Sequence, residues 1–90
     1  MNDKHSLTIE QISLMQHALG LDCGVHARRG LCATYRNYFD AGGSIESWED
    51  LTQKGFARRN IRRNGDVEYR VTQEGINVLE RIMLIRIKQN

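Results

Sequence analysis

The stretch Ala57-Arg58-Arg59-Asn60-Ile61-Arg62-Arg63-Asn64-Gly65-Asp66-Val67-Glu68-Tyr69-Arg70-Val71-Thr72 decides how this chain folds. Asn64-Gly65 is the strongest short-range hairpin signal, because both residues tolerate positive φ, and the flanks alternate apolar and polar side chains as strands do. A two-residue loop sets Ile61 opposite Glu68, on the other face from Val67, Tyr69 and Val71. A three-residue loop, Asn64-Gly65-Asp66, sets Ile61 opposite Tyr69 and joins it to the apolar side. The second register buries one more apolar residue and is the one expected. It turns Arg58, Asn60, Arg62 and Arg70 outward and leaves Arg59 and Arg63 to reach water around the hairpin's edges.

On the C-terminal side, Thr72 is placed to cap a helix with Glu74 in its first turn, running to about Lys88. Ile76, Leu79, Met83 and Ile87 form its core stripe, and Val78, Ile82, Leu84 and Ile85 widen the apolar surface almost all round. Either the domain wraps this surface or another subunit does. Since apolar helix faces that a fold leaves unused mark association, a homodimer through residues 78–87 is expected, with Val78, Ile82, Leu84 and Ile85 at its interface.

On the N-terminal side, the spacing predicts a helix from Ile45 to Lys54 with Ile45, Trp48 and Leu51 inward. Gly55 suits the left-handed C′ position, and Phe56 would then touch Leu51. The opposite face carries Glu46, Glu49, Asp50 and Gln53. Earlier still, Thr8 and Gln11 stand at capping-box spacing, Leu7 and Ile12 at staple spacing, and Ile12, Met15 and Leu19 share one helical face that Gly20 ends. Residues 21–43 read as a long loop holding a short strand at 35–39, with Tyr35 and Phe39 on one side.

Ninety residues suit a single domain, 1–90, and 40% apolar composition is too high for a disordered tail. No apolar run approaches the ~18 residues of a membrane span, and Met1-Asn2-Asp3-Lys4-His5 is too polar for a secretory signal. Neither a membrane partner nor a secreted location is therefore expected. Two cysteines are too few for a disulfide scaffold, so a reduced, cytoplasmic chain is the expectation. Cys23, His26 and Cys32, with His17, could staple the loop around zinc, but C-x2-H-x5-C matches no common ligand pair; no metal and no cofactor are expected. No Walker loop, helical metal-ligand pair or nucleophile elbow is present, and no enzyme activity is expected.

The order helix, strand, helix, Arg-rich hairpin, helix is close to that of a small α+β, winged-helix-like domain with one helix missing or hidden in the loop. Leu51-Thr52-Gln53-Lys54-Gly55-Phe56-Ala57-Arg58-Arg59, followed by Tyr69-Arg70-Val71-Thr72-Gln73-Glu74-Gly75, resembles the wing of multiple-antibiotic-resistance-type regulators. That resemblance implies a DNA-binding regulator. Leu7-Thr8 with His17-Ala18-Leu19-Gly20-Leu21-Asp22, then Tyr35-Arg36-Asn37-Tyr38-Phe39, is similar to small tailed-phage and prophage proteins. This second resemblance implies a phage or bacterial origin, hence the cytoplasm of a bacterial host, and no particular activity.

Arg58, Arg59, Arg62 and Arg63 place four cations in six residues with no acid among them. Such a cluster suits a wing gripping DNA phosphates, aided by Arg28, Arg29 and Arg36. The alternative is a cationic edge that merely discourages strand pairing. Glu46, Glu49 and Asp50 would repel phosphate, and they suggest a second function: a phage-encoded protein that binds a host or phage protein, for instance as a host-defence inhibitor. Tyr35, Arg36, Tyr38 and Phe39 are read as core filling before base stacking, and Trp48 as core.

Overall fold

Thr8 accepts a hydrogen bond from the Gln11 amide at 3.0 Å while the Gln11 side chain accepts from the Thr8 amide at 3.0 Å, so the expected capping box starts helix α1 (Ile9–Leu19). Gly20, at φ 56°, ends it in the left-handed conformation. The computed structural model describes residues 6–22 and 30–89. Within them lie three helices and five strands in two sheets, a small α+β fold.

Helix α2 (Glu46–Gln53) matches expectation, with Ile45 and Lys54 as its caps. It closes in a Schellman motif: the Phe56 amide donates to Leu51 O at 2.9 Å and the Gly55 amide to Thr52 O at 3.1 Å. The chain then enters the hairpin of β3 (Ala57–Ile61) and β4 (Val67–Val71). Strand β2 (Phe39–Gly42) pairs with the other edge of β4, giving an antiparallel sheet in the order β2-β4-β3. Its inner face packs on the helices. Trp48 stacks on Tyr69 at 5.3 Å with the rings 7° from parallel, and Phe39 and His17 extend the aromatic row. Met15, Leu19, Leu51, Leu79 and Ile76 complete the core.

The hairpin corrects the expected register. Its loop is Arg63-Asn64-Gly65, closed by Arg62 N–H to Asp66 O at 2.8 Å and Gly65 N–H to Arg62 O at 2.9 Å. Glycine occupies the third loop position because that residue must be left-handed, and Gly65 has φ 89°. The shift of two residues preserves which face each side chain takes. It moves Ile61 opposite Val67 and puts Arg59, not Ile61, opposite Tyr69. Ile61 therefore lies beyond the core and is 57% exposed.

The strand expected at 35–39 is replaced by two strands, β1 (Leu31–Ala33) and β2. Between them the chain is tied to the end of α1, with the Tyr35 and Arg36 amides donating to Leu19 O and the Tyr38 amide to Ala18 O at 3.0 Å. Tyr35 is exposed, so only Phe39 of the aromatic group joins the core as expected.

The last helix is also shorter than expected. Helix α3 (Gln73–Met83), capped by Thr72 Oγ1 on the Gly75 amide at 3.1 Å, stops at Leu84, which is left-handed at φ 55°. Strand β5 (Arg86–Lys88) follows and runs parallel to β1. The outward amide of Ile87 is met by the Glu80 carboxylate at 2.8 Å. The four residues assigned to a dimer face thus share no helix face. Val78 is 3% exposed within the chain's own core and Ile85 is half-buried against it, while Ile82 and Leu84 remain exposed.

Candidate nucleic-acid interface

Alternation in β3 and β4 sorts the hairpin side chains by face. Ala57, Val67, Tyr69 and Val71 go inward, while Arg58, Asn60, Glu68 and Arg70 go to the outer face of the sheet. The centre of that outer face is Glu68, only 4% exposed. It accepts from Arg62 at 2.8 Å and from Arg70 Nε at 3.1 Å. Buried carboxylates are tolerated when paired in this way. The Arg62 guanidinium, aided by Arg70 and Asn60, holds the Glu68 carboxyl below its ordinary value, against the burial that pushes it up. In return Glu68, then Asp40 at 3.5 Å, strengthens the protonated state of Arg62.

The four clustered arginines are therefore not equivalent. Arg62 is engaged by Glu68 and Asp40. Arg59 is turned to the inner side, where its Nε lies 3.3 Å from Glu49 and its Nη2 donates to Ser44 Oγ at 3.3 Å. Glu49 also accepts from the Tyr69 hydroxyl, so Arg59 completes an internal network. Arg58 on the outer face and Arg63 at the turn are exposed, and neither has an ion pair among the described residues. Arg36 lies elsewhere: its guanidinium donates to His17 O at 2.7 Å over the end of α1, where a cation complements the helix dipole. Arg28 and Arg29 lie outside the described residues.

Arg70 was missing from the expected site. It sits directly across from Arg58 on the neighbouring strand, and only its Nε meets Glu68. The period-two reading already turned Arg70 outward. Its cross-strand neighbour depended on the register, which the sequence pattern placed two residues away.

The acidic face of α2 is largely consumed within the fold. Glu49 is held by Arg59 and Tyr69. Asp50 pairs with Lys54 at 2.8 Å and accepts from Gln11 at 2.8 Å, and these two hydrogen bonds hold its carboxyl below the ordinary value. Glu46 is exposed without an ion pair among the described residues. The expectation of reduced thiols is also corrected, since Cys32 is disulfide-bonded and buried. Cys23 and His26 lie outside the described residues.

No helix of the described residues is long and apolar enough to cross a membrane. No protein-family model matches the chain, and comparisons with curated proteins and with solved structures give no match.

Proposed function

We propose that this chain is a small, non-enzymatic nucleic-acid-binding protein of winged-helix-like plan that contacts phosphates through the outer face and turn of its 57–72 hairpin. One observation carries the reading: Arg58 and Arg70 stand directly opposite each other on an open sheet face, with Arg63 exposed at the adjoining turn. Like charges directly across a ladder destabilise a sheet. A polyanion lying on the face offsets that repulsion, and releases its own counterions in doing so. The sheet order β2-β4-β3, with α2 before the hairpin and α3 after it, supports the winged-helix-like plan. So does the fit of the Tyr69-Arg70-Val71-Thr72-Gln73-Glu74-Gly75 motif to the start of α3. A DNA-binding regulator of phage or prophage origin is the setting the resemblances imply.

The alternative, a host- or phage-protein partner held by Glu46, Glu49 and Asp50, has the narrower basis, because two of those carboxylates already serve internal ion pairs. Anisotropy of labelled mixed-sequence DNA, in single- and double-stranded form, tests the proposal at two salt concentrations. Binding should weaken as salt rises. Arg58→Ala should lower the salt slope by about 1 and Arg63→Ala should act similarly, whereas Arg59→Ala should leave affinity nearly unchanged. Flat anisotropy for both DNA forms would overturn the proposal.

A further inference from the structure

The outer face of the β2-β4-β3 sheet is asymmetric along its strands. Toward the turn, Asp40, Glu68 and Asn60 form one cross-strand row, with Arg62 laid over the two carboxylates. Toward α3, the next row is Arg70 on β4 and Arg58 on β3. The pairing of β2 with β4 begins at Phe39↔Tyr69, and Tyr38 is the residue that leads into it. Phe39 packs inward on Trp48, and Tyr38, the residue before it, is 45% exposed. An exposed aromatic ring at the entry to β2 thus stands one residue before the strand that flanks the two guanidiniums of β4 and β3.

The backbone under Tyr38 is firmly held. The Asn37 side chain donates to Val71 O at 2.9 Å and accepts from the Val71 amide at 2.8 Å, taking the place of a strand residue. Tyr38 N–H is bonded to Ala18 O at 3.0 Å. A platform fixed before binding loses little freedom when a ligand arrives. In a duplex, both faces of each base are already stacked, so an exposed tyrosine on the binding face has nothing to receive. An unpaired base offers a free π-face, and its flanking phosphates offer partners to guanidiniums.

We infer that Tyr38, at the entry to β2, together with Arg70 and Arg58 forms a binding site for single-stranded nucleic acid, with one unpaired base stacked on Tyr38 and adjacent phosphates on Arg70 and Arg58. The inference rests on the phosphate-contact reading above and adds the strand state of the ligand. Its test uses a labelled mixed-sequence oligonucleotide, alone and annealed to its complement, with wild type, Tyr38→Ala, Tyr38→Phe and Arg58→Ala. Circular dichroism confirms that each variant is folded. Wild type should prefer the single strand. Tyr38→Ala should weaken single-strand binding by about 5- to 150-fold, the range for loss of one base–aromatic stack, while leaving duplex binding unchanged. Tyr38→Phe keeps the ring and should stay within about threefold of wild type. A preference for duplex, or unchanged single-strand affinity in Tyr38→Ala, overturns the inference; if Arg58→Ala still weakens binding in that case, the phosphate-contact reading stands alone. Absence of binding to either form overturns both.

Discussion

Replacing Gly75 by alanine should destabilise this fold strongly, although alanine is the better helix former. Gly75 lies in the first turn of α3, where the helix passes over the entry to the hairpin. A Cβ there would sit 2.3 Å from the Phe56 carbonyl oxygen and 2.7 Å from Val71 Cγ1. The carbonyl cannot retreat freely, because it accepts from the Thr72 amide at 3.0 Å. Thr72 in turn is tied through its hydroxyl to Gly55 O at 2.6 Å and caps the helix at Gly75. To relieve the clash, α3 must move away by about 1 Å and strain its cap. Overpacking costs about 3 kcal/mol at the upper end of the usual range, and a weakened cap about 1. The gain in helix propensity offsets about 1. A net loss of about 3 kcal/mol is large against the ~5–13 typical of a 90-residue domain. At ~4–8 °C per kcal/mol, the melting temperature should fall by about 10–25 °C. Thermal and urea denaturation followed by circular dichroism measure it. Gly55→Ala is the control: nothing lies within 4 Å of its added Cβ, and only its φ of 84° opposes the change, so the loss there should be smaller. A Gly75→Ala protein as stable as wild type, or more stable, would refute the packing of α3 on the hairpin entry described above.

Three further outcomes follow from other parts of the fold. Because the folded-state pKa of Glu68 is lowered, its contribution is fully present above its unfolded value, about pH 4, and is lost as pH falls through the lower folded value. Glu68→Gln should therefore destabilise at neutral pH by about 1–2 kcal/mol, limited by the exposure of its arginine partners, and the difference from wild type should shrink in acid; an equal difference at pH 7 and pH 3 would contradict this. Leu84→Gly removes a left-handed leucine that is 85% exposed, so it should raise stability by roughly 0.5–1 kcal/mol, or about 2–8 °C; a fall would show that the side chain is covered in solution. Asn37→Ala leaves the Val71 amide and carbonyl without their side-chain partner, and exchange of the Val71 amide hydrogen should speed up by about tenfold or more, as hydrogen-exchange NMR would detect.

The parts of the fold legible in the sequence are those written in local chemistry. Thr8 with Gln11, Gly55 with Phe56, and Thr72 ahead of Gly75 mark element ends by hydrogen bonds within a few residues, and all three stand where they were read. Side-chain parity in the hairpin was legible for the same reason. Its register was not, because two three-residue loops share that parity and only the demand for a left-handed residue, met by Gly65, separates them. The end of α3 was misread although Ile85-Arg86-Ile87-Lys88 alternates with a strand's period: the apolar run before it fits a helix equally well, and the partner strand β1 lies more than fifty residues away. The charge clusters were legible as composition but not as surfaces. Arg59 and Glu49, ten residues apart, cancel across an element boundary, and so the sequence shows two opposed patches where the fold forms one ion pair.

The bond from Glu80 to the Ile87 amide bears on how copies of this chain behave when crowded. Arg86 and Lys88 turn their backbone groups toward β1, as the bonds from Arg86 N–H to Gly30 O and from Thr34 N–H to Lys88 O show. Ile87 presents its own amide to the open side, where an incoming strand would begin to hydrogen-bond. A carboxylate from the preceding helix already fills that place. The outward amide of the last strand is thereby taken up by a side chain of its own chain. Without that carboxylate, the outward amide of Ile87 would stand open to an incoming strand.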